Sequence, residues 1–332
     1  MTDQLLSRVT EQWRTAIGGG CRALAWSSAG RLLAIGADGC VLVTPPGEAT
    51  PPMSPDPVAG VWLGEGRVVV IDAVLGAVLA GSGTTTTVEV DGGRCVAVAD
   101  NTVAVGGYGA VAVFDPSAVG AGPARPRHIA TGVGQSHIIQ PLDGSRWAVG
   151  GTTGVALVDT VLDRVDVIAE LDGVRTLVRI GPQVLAATEL GGALHVIDAE
   201  DPAASAEVSS RFPPLRHAAV ARSGLLVTTS DAELVWWRID ESGRVGDEPD
   251  VVAAHTTTIT ALAAASNGMV ATGDASGTIR LWSSNLIDYP VASLALDAEV
   301  VETAWAPDGR RLAIATMNGE LLVAEVTPGL LA

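Results

Sequence analysis

The sequence contains no lysine. All 20 of its basic side chains are arginine, against 37 carboxylates, for a net charge of −17. Without an amine there is no Schiff-base nucleophile, no anchor for pyridoxal phosphate and no P-loop lysine. The shortage of positive charge also speaks against sequence-independent nucleic-acid binding, which needs a basic stripe to neutralise phosphates. Cysteine is scarce as well. Cys21, Cys40 and Cys95 are odd in number and widely spaced, so they read as buried thiols rather than a disulfide framework or a metal site.

Long apolar runs are missing too. The longest, residues 68–81, is broken by Asp72 and falls short of the roughly 20 residues that span a bilayer. The N-terminal 17 residues carry acids and lack the apolar stretch of a signal peptide, so the expectation is a cytoplasmic chain with no membrane partner. The all-arginine, Ala/Gly/Val-rich composition suggests a high-GC, bacterial-type genome. No nucleophile elbow, H-E-x-x-H or Cys-x-x-Cys motif occurs, so no catalytic residue, metal ligand or cofactor is expected. The glycine clusters at 18–20, 81–83 and 106–109 fall in turns, where glycine serves backbone geometry.

What the chain has in abundance is glycine, 39 residues of it, between short apolar runs. "ATGDASGTIRLWSS" (271–284) shows the unit: an apolar run, a small-residue turn and a second apolar run. The same three-run pattern occurs eight times. Its second turn falls at Gly39, Gly76, Gly109, Gly154, Gly192, Ala232, Gly277 and Gly319, about 40 residues apart on average. That period is the one of four-stranded propeller blades rather than helical solenoids. The repeats cover 21–57, 58–93, 94–135, 136–173, 174–214, 215–258, 259–300 and 301–332. Fourth strands are expected at 163–171, 206–212, 249–255 and 290–296.

The last repeat has little sequence left for its own fourth strand. Residues 9–17 alternate Val9, Trp13, Thr15 and Ile17 and suit that place, because an unpaired edge invites association. An amphipathic helix sharing Leu5, Leu6, Val9 and Trp13 on one face is the competing reading. The expectation is an all-β, single-domain propeller of eight blades. Seven is the alternative if the Pro-rich segment 44–57 marks an excursion.

"AHTTTITALAAASNGMVATGDASGTIRLWS" (254–283) resembles the WD-repeat β-propeller family in its whole pattern. Ala254-His255 stands at the Gly-His position and Trp282-Ser283 at the Trp-Asp position. "AWAPDGRRLAIA" (304–315) resembles the same family's Phe-Ser-Pro-Asp-Gly turn. Trp26, Trp62 and Trp305 sit four residues before their turn glycines, where the family carries an aromatic. The resemblance implies structural roles for His255, Thr272 and Trp282 as members of a hydrogen-bonded tetrad. Ser276 stands where its aspartate belongs and Asp274 two residues early, so apolar packing between blades is expected to replace the tetrad.

The resemblance further implies a rigid, non-enzymatic platform that holds a protein partner on one face. The second turns and the loops leading into the first strands share that face. They hold Asp38, Asp72, Glu189, Asp231, Glu233, Asp274, Asp297 and Glu299, with Leu75, Tyr108, Leu190 and Met317 at the tips. An acidic rim with apolar points suits a partner offering arginine or lysine and an aromatic anchor. Of these, Tyr108, Leu75, Leu190, Met317, Asp38, Asp231, Glu233 and Asp274 are the partner-binding candidates. A different class of reading places His137, His217, Glu302 and Arg94 in matching slots of the first strands, lining a central channel that takes a small ligand or metal. A structural subunit of a larger complex is the third reading.

Overall fold

The second and third runs of each repeat are apolar at consecutive rather than alternate positions, so as strands they must be covered on both faces. A computed structural model describes residues 9–327 apart from 45–47, 51–52, 65, 82–83, 119–124, 209–213, 223 and 247. Leu5, Leu6, parts of the segment 44–57 and of the loop 115–127, the end of the cluster 81–83 and residues 209–212 thus lie outside the described residues.

An N-terminal strand, β1 (Val9–Ala16), precedes the blades. Blade 1 is β2 (Cys21–Trp26), β3 (Leu32–Gly36), β4 (Gly39–Thr44) and β5 (Glu48–Ala49). Blade 2 is β6 (Pro57–Leu63), β7 (Arg67–Asp72), β8 (Gly76–Gly81) and β9 (Thr84–Val88). Blade 3 is β10 (Cys95–Ala99), β11 (Thr102–Gly106), β12 (Tyr108–Phe114) and the first half of β13 (Arg127–Pro141). Blade 4 takes the second half of β13, then β14 (Arg146–Gly151), β15 (Gly154–Asp159) and β16 (Arg164–Glu170). Blade 5 is β17 (Val174–Arg179), β18 (Val184–Glu189), β19 (Leu194–Asp198) and β20 (Ala206–Glu207). Blade 6 is β21 (Ala218–Arg222), β22 (Leu225–Ser230), β23 (Glu233–Arg238) and β24 (Asp250–Ala253). Blade 7 is β25 (Ile259–Ala264), β26 (Met269–Asp274), β27 (Thr278–Ser283) and β28 (Ala292–Ala295). Blade 8 is β29 (Val300–Trp305), β30 (Arg311–Thr316) and β31 (Glu320–Val326), completed by β1.

Counted as hydrogen-bonded sheets these make seven, six of four strands and one of seven. The seven-stranded sheet is two blades joined through β13, whose Arg127–Ala130 half pairs with β12 and whose Ser136–Pro141 half pairs with β14. By four-stranded meanders there are therefore eight. The only helix among the described residues is a 3-10 turn at Pro202–Ala204.

The described residues fall into two compact units. One holds the described residues of 9–50 with those of 214–327, the other the described residues of 53–208. In the first unit, blades 6, 7, 8 and 1 stack through three apolar clusters. Trp236 and Trp282 lie between blades 6 and 7, Leu281 and Ile314 between 7 and 8, and Leu32 and Leu321 between 8 and 1. In the second unit, blades 2 to 5 stack in the same way through Ile71 and Val105, Ala97 and Val149, and Val155 and Leu177. The middle strands obey the burial requirement: every residue of β3, β22 and β26 is buried. The fourth strands are more open: β24 exposes three of its four residues, and β16 buries only Ile168 fully.

Strand β1 runs antiparallel to β31 from Val9 opposite Val326 to Ala16 opposite Glu320, with a bulge between Glu11 and Trp13. It removes the free edge of the last blade, and its Trp13 and the following Ile17 join the blade 8–blade 1 core. The tight second turns explain the recurring glycine. At Gly319, φ is +84°, and a Cβ would stand 2.3 Å from the Ile17 carbonyl oxygen. A side chain there is opposed by both backbone strain and a clash.

Candidate functional site

Asp274 closes β26 opposite Ile259, where its carboxylate reaches two ways. Its Oδ2 lies 2.9 Å from His255 Nδ1, and its Oδ1 accepts hydrogen bonds from the Ser276 and Thr278 amides at 2.9 Å each. His255 Nε2 is 2.7 Å from Thr272 Oγ1, which accepts the Trp282 indole N–H at 2.9 Å. The tetrad is thus complete in blade 7, with Asp274 in the acid's place. Ser276 only donates to Asp274 in the turn. This corrects the expected absence of a tetrad, and it removes Asp274 from the partner-facing set, since the residue is buried.

Burial lowers the His255 pKa despite the carboxylate beside it, which favours the neutral ring. Burial also pushes Asp274 up, but the hydrogen bonds from Ser276, Thr278 and His255 outweigh it and keep the carboxyl below its ordinary range. Blade 6 keeps a fragment of the network, Trp237 Nε1 donating to Thr228 Oγ1 at 2.8 Å. In blade 2, Asp72 is likewise buried and structural, accepting from Ser54 Oγ and from the Asp56, Val74 and Leu75 amides.

On the first unit, the remaining acidic positions form a rim of turns. Asp231 is exposed with φ of 49°, and its Oδ1 accepts from Thr258 Oγ1 at 2.6 Å, tying the blade 6 turn to the loop entering blade 7. Asp297 and Asp38 are exposed, and Glu233 and Glu299 half-buried. The amide of Met317 donates to the Glu299 carbonyl at 2.9 Å, which leaves the thioether side chain exposed beside these acids.

On the second unit, the apolar tips Leu75, Tyr108 and Leu190 are all exposed, together with Val74, which the sequence reading passed over. Two of them rest on glycine shelves. A Cβ at Gly92 would fall 2.2 Å from the Tyr108 ring, and one at Gly173 would fall 2.6 Å from Leu190 Cδ1. Each side chain therefore packs one side against a glycine while its outer surface stays open. Beside Leu190, between blades 4 and 5, lies a groove of about 660 Å³ lined by Val167, Glu170, Asp172, Glu189, His195 and Glu207. No arginine is among its lining residues. The Asp172 amide donates to Glu189 Oε2 at 3.4 Å, and His195 Nε2 lies 3.5 Å from the same oxygen. Such a concentration of carboxylate in a concave wall attracts cations.

The first-strand candidates do not share one slot. In six of the eight blades the first strand opens with a bulge against the end of the second strand, and in blades 3 and 6 the Arg94 and Arg216 amides donate to the Gly106 and Thr229 carbonyls at the corresponding place. His137 occupies its bulge and Arg94 the corresponding place, both exposed, in the second unit. His217 and Glu302 lie one residue later, in the first unit. Glu302 is pushed up to about 7 by burial, with the Thr303 amide as its only opposing hydrogen bond. Burial, and secondarily the Glu302 charge, pushes the Cys21 thiol up to about 12. Among the described residues, no three His, Cys, Asp or Glu side chains are disposed to hold a metal ion. No helix among them is long and apolar enough to cross a membrane. Trp26, Trp62 and Trp305 are first-strand residues in the core, and the Trp26 indole donates to the Ala304 carbonyl at 2.9 Å.

Glu302 gives a pH-dependent expectation. Its folded pKa exceeds its ordinary value of 4.5, so the folded state holds a proton that the unfolded chain has lost between pH 4.5 and 7. The residue therefore weakens the fold as pH rises through that window. Glu302→Gln is expected to stabilise the protein at pH 8 by about 1–3 kcal/mol, allowing for its residual exposure, and to have no effect at pH 4. Urea denaturation at the two pH values checks this.

Residues 247–283, essentially blade 7 and its lead-in, match the WD40 family (WD domain, G-beta repeat). Among solved structures, the computationally designed Ika8 protein is similar at TM-score 0.75 and 17% identity, covering 96% of this chain and 100% of that one. The Dos1 propeller is similar at TM-score 0.75 and 12% identity, over 96% and 95% of the two chains. A chain of the mitotic checkpoint complex is similar at TM-score 0.64 and 17% identity, over 96% and 92%. No curated protein matches at the level of sequence. The chain is a β-propeller, and its seventh blade is a WD repeat.

Proposed function

We propose that the chain is a protein-interaction platform that holds a partner on its turn face. The partner supplies arginine or lysine to the carboxylates and an aromatic or aliphatic side chain to the apolar tips. The observation that carries this reading is the pair of exposed apolar side chains, Tyr108 and Leu190, each packed over a glycine, with a carboxylate-lined groove beside Leu190. Apolar side chains already packed on one side serve as anchors for a partner, and charge complementarity adds rate and specificity. WD-repeat propellers commonly mediate protein–protein contacts, and one structural neighbour here belongs to a multiprotein complex. The reading assigns no catalysis to the chain and places it in the cytoplasm.

Affinity capture from the source cells, with mass spectrometry, tests the reading on each unit separately. One variant combines Tyr108→Ala with Leu190→Ala, the other Asp231→Asn with Asp297→Asn. A partner in stoichiometric amount is expected, with its affinity reduced about tenfold or more by at least one pair. Absence of any partner, or equal capture by both variants and the parent chain, contradicts the reading.

A further inference from the structure

The opening of the first strands repeats a charge as well as a shape. Arg22, Val58, His137, Arg175, Thr260 and Val301 occupy the bulges, and Arg94 and Arg216, whose amides donate to Gly106 and Thr229, hold the corresponding places in blades 3 and 6. Five of eight are basic, in a chain where acids outnumber arginines 37 to 20. Three of the five, Arg94, His137 and Arg175, fall in the consecutive blades 3, 4 and 5 of the second unit, and all three are exposed.

Packing brings these three together. The residue before each is buried and seats on the second strand of the preceding blade. Ser136, before His137, sits where a Cβ on Gly106 would stand, at 2.8 Å, and Gly106 is the residue whose carbonyl accepts the Arg94 amide. Val174, before Arg175, meets the Cβ position of Gly150 at 2.7 Å, and Gly150 lies opposite the His137 bulge. Cys95 Sγ lies 3.8 Å from the Ser136 carbonyl oxygen, linking the neighbours of Arg94 and His137 directly. Glycine in the second strand thus lets successive first strands close up, and the strand openings leave one exposed basic side chain on each of three neighbouring blades. Among the described residues, none of the three side chains makes a hydrogen bond or ion pair. By contrast, the exposed Arg164 and Arg238 are paired with Asp166 and Asp250.

From this juxtaposition we infer that the first strands of blades 3 to 5 form a binding site for a small multivalent oxyanion, a compound bearing phosphate groups or several carboxylates. Two guanidinium forks offer bidentate hydrogen bonds to such oxygens, and the imidazole between them adds a third donor. The site uses residues other than the acidic surfaces proposed for partner docking, and it adjoins the groove of blades 4 and 5, where Glu189 pairs with Val174.

Isothermal titration at low ionic strength with pyrophosphate and with citrate tests it and separates the two oxyanion types. At least one probe is expected to bind, at least tenfold more weakly to Arg94→Gln/Arg175→Gln, and unchanged to the control Arg164→Gln. His137→Gln is expected to weaken binding by a smaller factor. All four positions are exposed, and thermal denaturation verifies that the variants remain folded. Absence of heat with both probes at millimolar concentration, or equal binding by the double variant and the parent, overturns the inference. Equal loss in Arg164→Gln overturns it too, since binding would then follow net charge.

Discussion

Trp282→Ala is expected to destabilise the protein by roughly 3–5 kcal/mol, the range for deleting a fully buried aromatic side chain. Trp282 has no exposed surface and lies in the core between blades 6 and 7 with Trp236, Val270 and Ile259. Its removal opens a cavity there and also takes the indole N–H from Thr272, which the His255–Asp274 pair then supports from one side only. Trp282→Phe separates the two contributions. It keeps most of the packing, loses the hydrogen bond and is expected to cost about 1–2 kcal/mol. Urea denaturation monitored by circular dichroism gives both values. A cost below about 1 kcal/mol for the alanine variant would mean that blade 7 is held by something other than this core and network.

Removing residues 1–17 is expected to have an effect as large, through topology instead of a single contact. Strand β1 supplies the fourth strand of blade 8, and without it β31 presents a free edge in which Leu321 and Val323 lose cover from Trp13 and Ile17. The apolar side chains lost, Val9, Trp13 and Ile17, correspond to about 3–6 kcal/mol of burial, or roughly 4–9 °C in Tm for a chain of this size. An exposed edge of this kind also promotes association, so the shortened protein is expected to form oligomers on size-exclusion chromatography. Adding a synthetic peptide of residues 9–17 in excess restores the Tm by mass action. A shortened chain with unaltered Tm and a monomeric profile contradicts the pairing.

Much of the fold could be read in advance because a blade is a local unit. Turn glycines at a constant offset, such as Gly277 and Gly319, and runs buried on both faces mark the middle strands without knowledge of their neighbours. The closing role of β1 was also legible, since Trp13, Thr15 and Ile17 alternate as a half-covered strand must. The shared strand β13 was not. The repeat boundary was set between residues 135 and 136, inside this strand, where the positive φ values of Gly132 and Gly134 let it pass directly from blade 3 into blade 4.

For the site, the apolar tips were found because Leu75, Tyr108, Leu190 and Met317 interrupt otherwise polar turns. The acids were harder, because burial depends on register. Asp72 and Asp274 end their second strands, where the side chain points back into the blade, while Asp231 stands one position further on and faces out. Ser276 occupied the familiar place in sequence, but the turn geometry gave Asp274 the role. The basic positions were obscured by a one-residue offset. Aligning His137 with His217 hid the set of Arg94, His137 and Arg175, which emerges when each blade is aligned on the buried residue preceding its strand opening.

The central claim is that a protein partner is held on the turn face. Hydrogen exchange of the captured complex against the free chain tests it most directly. The prediction is slowed exchange in the second turns and leading loops, near 74–76, 90–93, 107–109, 172–173, 190–192, 231–232 and 317–319, in at least one of the two units. The turns at the opposite ends of the same strands, such as 28–31, 160–163 and 307–310, are predicted to be unaffected. Protection confined to those opposite turns or to the outer strands β16 and β24 would contradict the account.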